Sequence, residues 1–188
     1  MTNDISSTGT ATPLPIAPGQ WAMDPFHSAV NFTIRHLGIA KVRGRFGGVR
    51  AELFVGERVE DVRVSATIDL ASIDTGNADR DAHVRASDLL DVAKRPTMSY
   101  RSTRVSGEGE DWTMEGELTI GDVTRPVTLA VEFGGLGAMT DGGDGRHAGF
   151  EATGEIRRSE FGLDFAPGLL GEVVKIQLDM QFVEPAGA

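Results

Sequence analysis

Asp24, His27 and Ser28 stand together in Asp24-Pro25-Phe26-His27-Ser28, and His36 follows nine residues after His27. Aspartate with histidine is a common general-base pairing, so Asp24, His27 and His36 could form the acid-base cluster of a hydrolase or isomerase. That chemistry needs a nucleophile or an activated water. Ser28 suits the part poorly, because neighbours on an extended chain point to opposite faces. The segment also has an architectural reading, in which Asp24 and Ser28 satisfy turn amides and His27 donates to a backbone carbonyl. The four histidines, His27, His36, His83 and His147, match no zinc-binding spacing, and no metal or cofactor is expected.

His36 is set apart by its neighbours. Val30, Phe32 and Ile34 share one face of a strand, Asn31, Thr33 and Arg35 take the other, and His36 continues the apolar face. A histidine so placed is either hydrogen-bonded inside a core or stands at the wall of a cavity. The stretch from Trp21 to Phe46 therefore reads as the centre of the chain, and the remainder as a β framework that encloses it.

That framework begins with a short strand over 20–24, broken by Asp24-Pro25. After His36 a turn leads into Val42 to Val55, where Phe46 and Val49 differ in parity and Gly47-Gly48 marks a bend. Val62, Val64, Ala66, Ile68 and Leu70 alternate with polar residues as a half-solvated antiparallel strand does. Ala82, Ala86, Leu89, Leu90 and Ala93 recur at helical spacing, which predicts one helix or two short ones over 79–93, stopped by Pro96.

Strand patterning resumes at Met98 and Tyr100 and continues with Trp112, Met114, Leu118 and Ile120. Gly121-Asp122 supplies a hairpin turn, and the return strand runs through Val127 to Phe133, with Pro126 indicating an edge or a bulge. The glycine-dense stretch 134–145 reads as a mobile loop. Ala148 to Ile156 forms another strand, Phe161 to Leu170 an irregular apolar crossing, and Val174 to Phe182 the last strand.

Eight or nine antiparallel strands with one helical insertion favour a closed barrel over a sandwich. Small residues at inward positions, Ala66, Gly116, Ala148, Ala152 and Gly154, either leave space for a ligand or allow the strands to coil tightly.

The chain of 188 residues is long enough for one domain with a substantial core. Its net charge of -10 and pI of 4.8 argue against non-specific binding to nucleic acid or to anionic lipid surfaces. Cysteine is absent, so there is neither a disulfide framework nor a thiolate site. Residues 1–19 read as a disordered leader without the features of a signal peptide, 20–184 as the domain and 185–188 as a tail. No stretch approaches the apolar length of a membrane span, so the expectation is a soluble cytoplasmic protein, not an integral membrane one.

The order of several motifs resembles the YceI-like family, polyisoprenoid-binding proteins with a lipocalin-like barrel. These motifs are Asp24-Pro25-Phe26-His27-Ser28, Arg35-His36-Leu37, Lys41 to Phe46, His83 to Asp91, Gly116 to Ile120, Val123 to Val127 and Arg158-Ser159-Glu160-Phe161-Gly162-Leu163. The resemblance implies an extended, all-β, closed antiparallel barrel of about eight strands, with short helices at one end and a long apolar tunnel for an isoprenoid or similar lipid. It also implies that a homodimer is possible. Leu89-Leu90 stands where relatives commonly carry phenylalanine, and the glycine-rich stretch after Phe133 is longer and more polar than usual.

On this reading the protein binds an isoprenoid or other long-chain amphipathic lipid without transforming it. Expected lining residues are Val30, Phe32, Ile34, Phe46, Ile68, Leu89, Leu90, Phe150 and Phe161. His27, His36, Arg43, Arg80 and His83, with Arg45 and Arg85 nearby in sequence, are the groups available to a polar head, since arginine suits a phosphate bidentately. Alternatively these arginines pair with acidic neighbours on exposed strand faces.

Overall fold

The computed structural model describes residues 14–138 and 145–186. Eleven strands form one antiparallel sheet: β1 (Gly19–Met23), β2 (Ala29–His36), β3 (Ala40–Phe46), β4 (Val49–Val55), β5 (Arg63–Asp69), β6 (Ile73–Asp74), β7 (Thr97–Glu108), β8 (Asp111–Ile120), β9 (Val123–Ala138), β10 (Arg146–Arg157) and β11 (Leu170–Val183). Eight of them close a circuit in the order β1-β4-β5-β7-β8-β9-β10-β11, completed where Ala22 and Met23 pair with Val183 and Phe182. The expected closed eight-stranded barrel is the fold.

The three remaining strands lengthen the wall. β2 continues along the edge of β11 that β1 occupies, β3 pairs with β2, and β6 pairs with the end of β3. Each of β1/β2, β3/β4 and β5/β6 is one long stave with a local break. The sequence causes of the breaks differ. Asp24-Pro25 ends β1, Gly47-Gly48 bends the second stave as expected, and the 3₁₀ turn Leu70–Ser72 interrupts the third, with the Asp69 carboxylate capping the Ala71 amide at 2.8 Å. Adjacent breaks are tied together, since the Asp69 amide donates to the Gly48 carbonyl at 2.7 Å.

Helix α1 (Ala78–Arg85) follows β6, and the Asn77 side chain caps it by accepting from the Arg80 amide at 2.9 Å. It is shorter than the helical spacing over 79–93 suggests. Ala86 turns to an extended conformation, and its carbonyl collects the amides of Leu89 and Asp91, so 86–94 is a series of turns. The apolar residues of that segment are still used, because Leu90 is buried.

Two other expectations change. Residues before 20 already join the fold, since Ile16 is buried in the core and the Trp21 indole donates to the Ala17 carbonyl at 2.9 Å. Residues 1–13 of the expected leader, and 187 and 188 of the expected tail, lie outside the described residues. Gly134–Ala138 belong to β9 instead of a loop. Their ladder to β10 brings Gly135 opposite Gly149 beside a register shift, so paired glycines serve a bulge there. The rest of the glycine-rich stretch, 139–144, lies outside the described residues. At Pro126, β9 pairs only with β8, the one-sided position proline tolerates.

One end of the barrel is packed with aromatic rings. Trp112 stacks on Phe133 at 6.1 Å between centroids, and Phe150 touches Trp112, Phe133 and Phe182 at 5.4–6.0 Å. Trp21 is completely buried nearby in the same core cluster.

Candidate ligand-binding cavity

Inward alternation on all eight staves leaves an internal cavity of about 470 Å³. It extends along β11 from Phe182, at the aromatic end, to Leu170, and thirteen residues of strand measure about 40 Å. Six of its lining residues carry polar side chains: Asn31, His36, Thr75, Arg80, Tyr100 and Arg158. All the others are aliphatic, aromatic, alanine or methionine.

The mouth lies where the wall is incomplete. Over Ala40–Gly44, β3 pairs with β2 alone, and α1 contributes Arg80 and Val84 to the lining beside it. Among the described residues, Ala40 and Arg80 are the only exposed ones in the lining, so solvent reaches the cavity between the β2–β3 hairpin and the helix. His36 and Thr75 are half-buried at the same opening. The Arg80 guanidinium is oriented by Thr75, donating to its hydroxyl at 2.7 Å and its carbonyl at 2.8 Å. The Thr75 hydroxyl in turn donates to the buried Asp81 carboxylate at 2.6 Å.

Arg158 holds the rim beside the β2–β3 hairpin. Its guanidinium is 4% exposed and donates to four backbone carbonyls, those of Gly171 (2.9 Å), Leu163 and Phe165 (2.6 Å each) and Leu170 (3.3 Å). It also lies 5.1 Å from the centre of the Phe165 ring. One planar cation with a fixed fork of donors thus ties down the irregular segment 163–171. The sequence motif around Arg158 was visible, but not its burial, because arginine is ordinarily a surface residue.

Nine of the fourteen expected site residues line the cavity: Val30, Phe32, Ile34, His36, Phe46, Ile68, Arg80, Leu90 and Phe150. The other five are elsewhere. Arg43 has outward parity on β3, opposite Thr33, and His83 faces solvent from α1, bonded to Asp88 at 3.0 Å. That contact holds the Asp88 carboxyl below its ordinary range. Leu89 is half-buried in the turns after α1, and Phe161 is a fully buried core residue that closes the short 3₁₀ turn Arg158–Phe161. Of the neighbouring arginines, Arg45 pairs with Asp74 at 3.1 Å, and Arg85 donates to the Ala71 and Ile73 carbonyls, anchoring α1 to the wall.

His27 is the fifth. It does not join His36, which pairs with Leu170 at the mouth, whereas the Asp24 amide bonds the Gln181 carbonyl near the aromatic end. The eight residues from Ala29 to His36 alone span about 23 Å. Five residues, Asp24 to Ser28, bulge over Met180 and Gln181, and every polar member of that bulge is occupied. Asp24 accepts from the Phe26 amide at 2.8 Å, contacts the His27 ring at 2.8 Å, and accepts from the Gln181 side chain at 3.1 Å. The Ser28 hydroxyl bonds both the amide and the carbonyl of Gln181. His147, which no motif linked to this segment, meets the Gln181 side chain at 2.9 Å. The segment is a clip between staves, close to the architectural reading, except that His27 meets the Asp24 carboxylate and not a backbone carbonyl. The His27 hydrogen bond, reinforced by the Phe26 amide and opposed by burial, holds the Asp24 carboxyl below its usual range.

Two of the inward glycines have a use the sequence did not distinguish. A Cβ at Gly116 would overlap the Tyr100 ring, and one at Gly154 would overlap Leu129. Their space is already filled by neighbours. Ala66 and Ala152 do line the cavity, while Ala148 is buried outside it. Burial pushes the Tyr100 phenol up to about 12, with a smaller contribution from Glu115, so it is neutral and hydrogen-bonded to the Met114 and Val127 carbonyls at 3.4 Å.

A closed antiparallel barrel around an apolar cavity with one polar mouth places the molecule in the lipocalin-like class of β-barrels. The sequence profile of the YceI-like domain matches residues 21–182, and the chain belongs to that family. It is 36% identical over 159 residues to a UPF0312 protein of Enterobacter sp. (strain 638), covering 84% of this chain and 82% of that one. Among solved structures, BcnA of Burkholderia cenocepacia superposes with a TM-score of 0.75 at 22% identity, covering 85% of this chain and 98% of BcnA. A polyisoprenoid binding domain from Saccharophagus degradans superposes with a TM-score of 0.67 at 15% identity, covering 90% of this chain and all of that domain. Among the described residues, no helix is long and apolar enough to cross a membrane.

Proposed function

We propose that the protein binds the apolar chain of a long amphipathic lipid, isoprenoid or fatty-acyl, inside the barrel and releases it unchanged. The observation that carries this reading is the cavity along β11, apolar throughout except for six polar lining residues. The shared fold with a domain described as polyisoprenoid-binding supports the isoprenoid class. Each buried methylene contributes ~0.8 kcal/mol, so a sixteen-carbon chain gains about 12 kcal/mol before the cost of ordering it.

In this arrangement Val30, Phe32, Ile34, Phe46, Ile68, Leu90 and Phe150 contact the chain. His36, Thr75 and Arg80 receive the polar end at the mouth. Arg80 is held ready for an anionic head by its two bonds to Thr75. No bond needs to be made or broken.

Native mass spectrometry of the purified protein tests this directly. The expected result is a stoichiometric mass excess that leaves on denaturation and is identified on extraction as a long-chain lipid. A protein without such an occupant, and still without one after incubation with geranylgeraniol and with palmitic acid, would overturn the reading.

A further inference from the structure

The turn between β2 and β3 is built from Leu37, Gly38 and Ile39, and its apolar side chains face solvent. Ile39 is 81% exposed and Leu37 54%. Leu169, 44% exposed on the segment clamped by Arg158, joins them, because its carbonyl accepts the Leu37 amide at 2.7 Å. Two adjacent loops thus present one apolar knob beside the mouth residues His36 and Ala40.

The turn chemistry makes the knob unusual. Leu37 has φ +52° and Gly38 φ +72°. Left-handed turn positions favour asparagine or glycine, so leucine there carries a conformational cost with no burial to offset it. Exposed apolar groups rimmed by polar residues mark contact surfaces. The flanking residues give the sign of the partner. Arg35 and Lys41 pair across the hairpin, both are exposed, and neither makes an ion pair among the described residues. Asp164, exposed on the Leu169 segment, and Glu172, next to the Gly171 that lies against Arg35, are acidic residues of that rim.

We propose that Leu37, Ile39 and Leu169, with Arg35 and Lys41, dock the cavity mouth on the surface of an anionic lipid bilayer, so that a bound chain passes between bilayer and barrel without crossing water. The proposal rests on the lipid-binding reading for its purpose, though not for its geometry. Apolar side chains entering the headgroup region, flanked by cations, form the usual interfacial combination. The net charge of -10 opposes approach at long range, but screening within about 8 Å at physiological salt leaves the local pair of cations in control at contact.

Flotation with vesicles of phosphatidylcholine alone, and of phosphatidylcholine with phosphatidylglycerol, tests it. The full chain is expected to float with the anionic vesicles and to be released by salt. Leu37→Asn with Ile39→Ser keeps turn-compatible residues and touches no cavity-lining position; it is expected to lower vesicle partition at least tenfold. Arg35→Gln with Lys41→Gln is expected to lower it roughly 30-fold on anionic vesicles and little on neutral ones.

In detergent, all variants should bind a fluorescent long-chain fatty acid as the parent does. A parent protein that ignores anionic vesicles, or a Leu37→Asn/Ile39→Ser variant that floats equally well, would overturn docking. Docking without uptake of either a fatty acid or geranylgeraniol would leave this proposal standing and refute the lipid-binding reading instead.

Discussion

The two sides of the barrel use the same inward-facing residue types and reach different ends. On β8 and β9, Met114, Leu118, Val127 and Leu129 line the cavity and are nonetheless buried, Leu129 also lying against Gly154. On β2 and β11, Ile34, Val174, Ile176 and Leu178 line the same cavity with the same inward parity yet remain half-buried. The difference teaches that an alternating strand identifies a face and not a filled core. What decides the outcome is whether the opposite wall supplies side chains long enough to meet it. At the aromatic end it does, with Trp112, Phe133, Phe150 and Phe182. Toward the mouth the third stave breaks at Leu70–Ser72, β6 is only two residues long, and the wall recedes.

Equivalent truncations on the two sides should therefore differ most. Leu129→Ala removes a buried side chain that lies against Gly154 and is expected to cost about 2–5 kcal/mol in denaturant unfolding. Leu178→Ala enlarges a space that already exists, and about 1 kcal/mol is expected. Equal losses would erase the distinction.

Glycines sharpen it next. Gly116→Ala forces Tyr100 against its own hydrogen-bonded surroundings and is expected to cost about 1–3 kcal/mol. Gly44→Ala meets the far end of the Phe32 ring, which borders the cavity and can swing into it. That variant should keep its stability and lose lipid capacity, measured by uptake of a fluorescent fatty acid.

The clip gives the smallest effect. Asp24 has a carboxyl held below its unfolded value of 3.8, so its ionised form stabilises the fold above that pH. The contribution is lost as pH falls through the lower folded value. Asp24→Asn should cost about 1 kcal/mol at neutral pH, and the gap from the parent should close in acid below pH 3.8. A gap that persists there would mean that hydrogen-bond geometry, and not charge, holds the clip.

Much of this was legible in the chain because β patterning is local. The faces of β2, β5 and β11 follow from alternation at Val30 to His36, Val62 to Leu70 and Val174 to Phe182. The closure partners were not legible. Asp24 meets Gln181 across 157 positions, and nothing near Asp24 specifies that contact. Composition also misled at Gly134–Ala138, where a partner strand supplies the ladder that glycine does not favour. The helical spacing past Arg85 failed for a related reason: Leu90 reaches the core through a turn as readily as through a helix. His36 and Arg80 were identifiable as candidates by type and motif, whereas Thr75 and Arg158 depended on tertiary placement.

The central claim is that the β2/β11 side encloses a ligand space, and Ile34→Trp tests it most directly. Chemical denaturation and native mass spectrometry on that variant and its parent would be read together. The account expects unchanged stability, within about 1 kcal/mol, since the indole enters existing space, together with loss of the lipid occupant. A variant that unfolds as an overpacked core would, or one that carries the same lipid in the same stoichiometry as the parent, would contradict it.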